Sequence, residues 1–166
     1  VTFHTPLTHT GLDATYHLAD RHFISGLENC KLLINSSRGE VVDNAALVEL
    51  KHTSTLVDVV VDCWENEPEL NPDLLKMAYI ATPHIAGYSA EGKMRATSML
   101  LESLAEHFGW ALDIPQVDAP LKGAEEVSLA AIMSSYNPLI DTEALKSSPE
   151  SFESLRNNYA LRNEVK

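Results

Sequence analysis

The sequence is short of positive charge. Lys and Arg number 12 against 24 Asp and Glu, a net charge of −12 with His neutral. Nucleic-acid binding without sequence preference needs cations to displace phosphate counterions, so this balance argues against a nucleic-acid partner. A small anionic ligand stays open, because one well-placed Arg can hold it inside an acidic protein. Cysteine is equally scarce. Cys30 and Cys63 lack CxxC or CxH spacing, which speaks against zinc and redox motifs. They read as reduced core thiols of a cytoplasmic protein. No apolar run approaches the roughly 20 residues of a membrane span. The best, Leu56 to Trp64, is interrupted by Asp58 and Asp62, so no membrane partner is expected. The chain opens on Val1 without an initiator Met or a secretory leader, and it closes on an uncapped helical stretch. Both ends read as cut from something longer.

What is present is enough for a core: 45% of the 166 residues are apolar and 22% are charged. Short apolar strands alternate with amphipathic helices. Val1–Phe3, Leu32–Ile34, Leu56–Val61 and Tyr79–Ala81 read as strands, the third β-branched enough to be buried on both faces. Asp20 and Asp43 stand as N-caps, the first ahead of a face of Phe23, Ile24 and Leu27, the second ahead of Ala46, Leu47 and Leu50. Asn71-Pro72 combines an N-cap with proline at the first helical position, ahead of Leu74, Leu75 and Ala78. Strand–helix–strand repetition at this spacing predicts βαβ units and a parallel sheet, an α/β class. A longer helix is expected from Ser89 to Phe108, with Met94, Thr97, Leu101, Leu104, Ala105 and Phe108 on one stripe and Gly109 stopping it. Asp113 to Pro120 reads as a linker. Beyond it, Ser128–Tyr136 reads as a helix, and Ser148-Pro149 starts another with Phe152, Leu155 and Tyr159 on a face. The expected organisation is a sheet domain over 1–88, a helix over 89–110, a linker over 111–120 and a separate small unit over 121–166.

In parallel α/β sheets ligands sit beyond the carboxyl ends of the strands. Four polar segments lie just past such ends: His4-Thr5, Ser37-Arg38-Gly39, Asp62 to Glu67, and His84 to Gly87. Each has an ordinary reading. Arg38 fits a surface cation, Glu67 a solvated carboxylate of an acidic loop, and His84 a satisfied loop histidine. His4 reads as a brace for its loop. Asp62 is harder to set aside, because an unpartnered carboxylate ending an apolar strand is costly. The remaining histidines show no paired-ligand spacing, so no metal is assigned. Taken together, a His with a carboxylate neighbour makes an acid/base near neutral pH, and an Arg makes a planar fork for a substrate carboxylate. With no nucleophile and no metal, that set fits proton removal from an alcohol as a hydride leaves for a nicotinamide.

The same residues carry a family resemblance. Asn35-Ser36-Ser37-Arg38-Gly39-Glu40-Val41-Val42-Asp43 resembles the N-x-x-R-G-x-x-V-D signature of the NAD-dependent D-2-hydroxyacid dehydrogenases. Asp62-Cys63-Trp64-Glu65-Asn66-Glu67-Pro68 and Pro83-His84-Ile85-Ala86-Gly87 are similar to two further segments of that family, in the same order. A narrower likeness to one subfamily runs through Tyr88 to Lys93, Trp64 to Asn71 and Phe152 to Tyr159. The resemblance implies part of a Rossmann-like doubly wound parallel sheet, followed by a crossover helix toward a substrate domain and the start of a small dimerisation domain. It implies NAD as cofactor, a small anionic 2-hydroxy acid as substrate and a homodimer. Arg38 would bind the substrate carboxylate, His84 would exchange the C2-hydroxyl proton, and Glu67 would pair with His84. Asp62 would hold the nicotinamide carboxamide, Thr5 and Gly87 would contact NAD, and Tyr88 would contact substrate. The chain departs from the family in lacking G-x-G-x-x-G and the acidic residue that follows it. With half the cofactor cradle missing, the isolated chain is expected to be inactive. Another member of the family, of phosphoglycerate or hydroxypyruvate type, and a non-catalytic NAD-binding interaction module of the same fold remain alternatives.

Overall fold

Aliphatic and β-branched residues set the strands of the protein, seen in a computed structural model that describes residues 1–51, 58–115 and 128–163. Strands β1 (Thr2–Phe3), β2 (Leu32–Asn35), β3 (Asp58–Val61) and β4 (Ile80–Ala81) form one sheet in the order β1-β2-β3-β4. All pairings are parallel, with Thr2 opposite Ile34, Leu33 opposite Val59 and Val60 opposite Ile80. The class is α/β, as expected from the alternation. Leu56, placed in the third strand by its sequence, lies outside the described residues.

The helices that join the strands start where their caps dictate. Helix α1 (Arg21–Ser25) is capped by Asp20, whose carboxylate accepts the Phe23 N–H at 2.8 Å. Helix α2 (Asn44–Lys51) has Asp43 accepting the Ala46 N–H at 2.8 Å, and α3 (Pro72–Met77) has Asn71 accepting from Asp73 and Leu74. Ile24, Leu47 and Leu74 from these helices join Leu33, Val59 and Val61 of the sheet in one buried core. Phe23 keeps 36% of its surface exposed and meets the ring of Phe3 at 6.0 Å.

The chain divides into two units, 1–86 with 138–158, and 87–137 with 159–166. The first unit therefore reclaims residues that the sequence assigns to a separate piece. Helix α4 (Ala90–Phe108) and helix α5 (Leu129–Ser135) belong to the second unit, whereas α6 (Pro138–Ser147) and α7 (Phe152–Asn157) belong to the first. Leu145 and Phe152 enter the core of the sheet. Thr142 Oγ1 accepts the Ala81 N–H of β4 at 3.1 Å. Lys146 Nζ donates to the carbonyls of Ala78 (2.5 Å) and Lys76 (3.3 Å) at the end of α3, and burial holds its pKa below the ordinary lysine value. Sequence reading missed α6. Ser148-Pro149 begins a 3-10 turn, Pro149–Ser151, with no side-chain cap, and α7 starts only at Phe152.

Helix α4 begins on Ser89, which accepts the Gly92 N–H at 2.9 Å, and ends on Gly109 with φ +66°. Its start and stop agree with the sequence. Its stripe does not behave as a core face: Met94 and Phe108 are exposed, and Ser98 is the buried residue of the helix.

Candidate active site

Four strand ends bring their following loops to one edge of the sheet. At the end of β2, the buried Asn35 folds the chain back on itself. Its Oδ1 accepts from Ser37 N (3.2 Å) and Ser37 Oγ (2.9 Å), and its Nδ2 donates to the Arg38 carbonyl at 2.9 Å. Gly39 then passes so close to the next loop that a Cβ would fall 1.9 Å from the Trp64 carbonyl oxygen. Only glycine fits there. This turn leaves Arg38 extended and exposed, with Nη1 donating to the Ser37 carbonyl at 2.6 Å.

At the end of β3, Asp62 is 4% exposed and fully partnered. Oδ1 accepts from Thr82 Oγ1 (2.6 Å) and Ile85 N (2.8 Å), while Oδ2 accepts from Ala86 N (3.0 Å). The carboxylate thus ties the end of β3 to the loop after β4. Next to it, Trp64 is buried, its indole N–H donating to the Thr82 carbonyl at 2.9 Å. Its backbone N–H donates to Glu67 Oε1 at 2.8 Å.

These two anchors place the carboxylate and the imidazole together. His84 takes a positive φ of +54°. Its Nδ1 lies 2.8 Å from Glu67 Oε2 and 3.1 Å from Oε1, both side chains about four-fifths buried at 22% and 19% exposure. An ionised carboxylate only accepts, so Nδ1 carries the hydrogen and Nε2 presents its lone pair away from Glu67. That is the arrangement of an acid/base imidazole with its orienting carboxylate.

Cys63 sits among these groups. Burial pushes its thiol pKa well above the ordinary value, the negative charges of Asp62 and Glu67 add to this, and Arg38 partly offsets it. Cys30 is only half-buried. A thiol-specific chromogenic disulfide is therefore expected to label Cys30 in the native state and Cys63 only on unfolding. Rapid labelling of both thiols in native buffer would contradict this placement.

At the end of β1, His4 Nε2 is 2.8 Å from Thr2 Oγ1, the bracing role its sequence position suggests. Thr5 is different. Its Oγ1 is buried without a hydrogen-bond partner, an orphan that a polar ligand group would satisfy. A further cluster was invisible in the sequence: His17 Nε2 lies 2.5 Å from Glu65 Oε1, and Nδ1 lies 3.7 Å from Asp43 Oδ2. The three residues come from three loops, so no spacing marks them. Glu65 Oε2 also accepts the Asn44 N–H at 3.0 Å, and Tyr16 stacks on His17 at 4.2 Å, so the cluster braces the β1 loop.

Gly87 and Tyr88 belong to the second unit. Gly87 has φ +81° with open space where a Cβ would stand. The Tyr88 ring is covered by Lys93 Nζ at 3.7 Å and meets Tyr159 edge-on at 6.1 Å. Arg162 donates to the Tyr159 hydroxyl at 3.3 Å and lies over Tyr136 at 4.4 Å.

Residues 1–86 match the family model of the D-isomer specific 2-hydroxyacid dehydrogenase, NAD binding domain. The whole chain is 45% identical to an erythronate-4-phosphate dehydrogenase of Bacteroides thetaiotaomicron, covering 49% of it. It is 37% identical over its whole length to the enzyme of that name from Porphyromonas gingivalis, covering 48%. The chain thus spans about half the length of the curated relatives it matches. Among solved structures, a D-lactate dehydrogenase from Aquifex aeolicus, complexed with NAD and lactic acid, superposes with a TM-score of 0.55 at 26% identity. That match covers 65% of this chain and 37% of the other.

Proposed function

We infer the function from one premise, that the chain belongs to the NAD-binding domain family of the D-isomer specific 2-hydroxyacid dehydrogenases. The reading concerns the full-length protein that carries this chain. It oxidises 4-phospho-D-erythronate to 2-oxo-3-hydroxy-4-phosphobutanoate with NAD, as in the formation of pyridoxal phosphate. The observation that carries the chemistry is the 2.8 Å contact of His84 Nδ1 with Glu67 at the carboxyl edge of the sheet. The substrate follows from the name of the relatives that match the whole chain.

Each residue then has a task. His84 Nε2 takes the proton of the C2 hydroxyl during oxidation and returns it during reduction. Glu67 fixes the tautomer and stabilises the imidazolium that forms. Arg38, extended and exposed beside this pair's loops, supplies the fork for the substrate carboxylate, and Tyr88 contacts substrate. NAD, when bound, supplies the hydride acceptor. The orphaned Thr5 Oγ1 fits a contact with it, and Gly87 is a further contact by likeness to the family. Asp62 takes the nicotinamide carboxamide at Oδ2, where the weak Cys63 thiol contact at 3.8 Å can give way to it.

In the same reading 1–88 is the second half of the NAD domain and 89–110 the crossover helix. The exposed Leu129, Ile132 and Met133 of α5 support a homodimer. Among the described residues no helix is long and apolar enough to cross a membrane. The unpaired Cys30 and Cys63 support a cytoplasmic setting.

The test is NADH formation by the full-length protein with 4-phospho-D-erythronate, beside 3-phosphoglycerate and glycerate. Turnover on the first substrate is expected. Preference for another acid would remove the substrate assignment while leaving the family chemistry. NAD binding without turnover on any acid would favour an interaction module.

A further inference from the structure

Glu67 has a third neighbour, and it comes from the far end of the chain. Arg156, in the last turn of α7, places Nη1 3.9 Å from Glu67 Oε2, the oxygen that also faces His84 Nδ1. Both residues lie in the first unit. The approach is well anchored: Phe152 of α7 and Leu145 of α6 are buried in the core, and Thr142 of α6 takes the Ala81 N–H three residues before His84. Arg156 itself is 35% exposed and pairs with no other carboxylate among the described residues.

We propose that Arg156 is a positioning residue that holds the Glu67 carboxylate toward His84, in the site described under Proposed function and resting on that reading. Glu67 Oε1 is pinned by the Trp64 N–H, but Oε2 has only the imidazole in front of it. A carboxylate fixed to the backbone at one oxygen only can still turn the other away from the imidazole. A cation behind Oε2 opposes that turn by keeping the negative charge where it is compensated. At 3.9 Å the contact is an ion pair and not a hydrogen bond, so charge matters more than the guanidinium fork.

The experiment uses the full-length protein. Arg156→Met is expected to lower kcat about tenfold with KM for NAD unchanged, a fraction of the 10²–10⁴ that acid–base catalysis supplies. Arg156→Lys, which keeps the charge, is expected to restore kcat to within about threefold. In a Glu67→Gln background, where no anion remains to position, Arg156→Met is expected to cost nothing further. Undiminished kcat in Arg156→Met, failure of lysine to rescue, or equal losses in both backgrounds would each overturn the proposal. Because the side chain is partly exposed, Arg156→Gln replaces Arg156→Met if the latter melts early. A substrate-free readout separates this proposal from the functional one. In histidine-¹⁵N-labelled full-length protein, His84 is expected to show the Nδ1–H tautomer in wild type and a mixture in Arg156→Met. An unchanged spectrum overturns the positioning role even if every candidate acid fails as substrate.

Discussion

Replacing His84 with asparagine in the full-length protein is expected to lower kcat by about 10²–10⁴-fold, the usual contribution of a positioned acid/base. The choice of asparagine follows from the backbone. His84 sits at φ +54°, a region that asparagine tolerates better than most residues, so the loop keeps its path. Asp62 still holds the following N–H groups of Ile85 and Ala86, and Trp64 still holds Glu67. What is lost is the titratable Nε2 opposite Glu67. His84→Ala is expected to lose the same activity, with a further drop of roughly 1 kcal/mol in stability because alanine is strained at this φ. Kinetics and thermal melts on both variants check this. If His84→Asn keeps more than about a tenth of wild-type kcat, the imidazole is not the base and the proton must leave by another route.

The contrast between residues read correctly and residues missed has a physical pattern. Asp20, Asn71 and Ser89 announce their helices because capping is a short-range bond between a side chain and an N–H two or three residues on. Gly109 is equally local, since a helix that ends in the left-handed region selects glycine. The parallel sheet follows from strand–helix alternation, which is also a property of neighbours in sequence. Helix α6 carried the same signal, Asn137-Pro138, as α3 does with Asn71-Pro72, and was readable on that ground. Its docking was not readable. Nothing near Leu145 or Phe152 in sequence says that they fill the core beneath β4.

The site divides along the same line. Arg38, Glu67 and His84 stand out because strand ends and motifs mark them, yet the network that arranges them spans long separations. Asp62 illustrates this. Its sequence position suggests a buried carboxylate in need of partners, and the structure supplies Thr82, Ile85 and Ala86, all beyond α3. His17, Asp43 and Glu65 meet from three loops, and Arg156 reaches Glu67 from a helix 89 residues later (156 − 67). Contacts of that kind depend on how the units of secondary structure pack, which periodicity does not encode.

Asp62→Ala is expected to destabilise the full-length protein by about 3–5 kcal/mol, the largest effect on stability foreseen here. The substitution leaves the Ile85 N–H and the Thr82 hydroxyl buried without an acceptor and the more exposed Ala86 N–H freed to water. An unsatisfied buried donor costs about 1–3 kcal/mol. The cavity left by a carboxylate adds to this, whereas relief of an anion buried beside Cys63 and Glu67 subtracts. Asp62→Asn separates shape from charge. Oδ1 can still accept from Thr82 and Ile85, but the amide NH₂ then opposes the Ala86 N–H, so a smaller loss of about 1–2 kcal/mol is expected. The two variants also test function. If Asp62 only ties β3 to the His84 loop, the kcat losses should follow stability, with NAD affinity held. If Oδ2 also receives the nicotinamide carboxamide, Asp62→Asn should weaken NAD binding beyond what its melt explains. Denaturant unfolding gives the first quantity and NAD titration the second. An Asp62→Ala protein within about 1 kcal/mol of wild type would mean that water takes over the three donors and that the carboxylate is not what holds the loop.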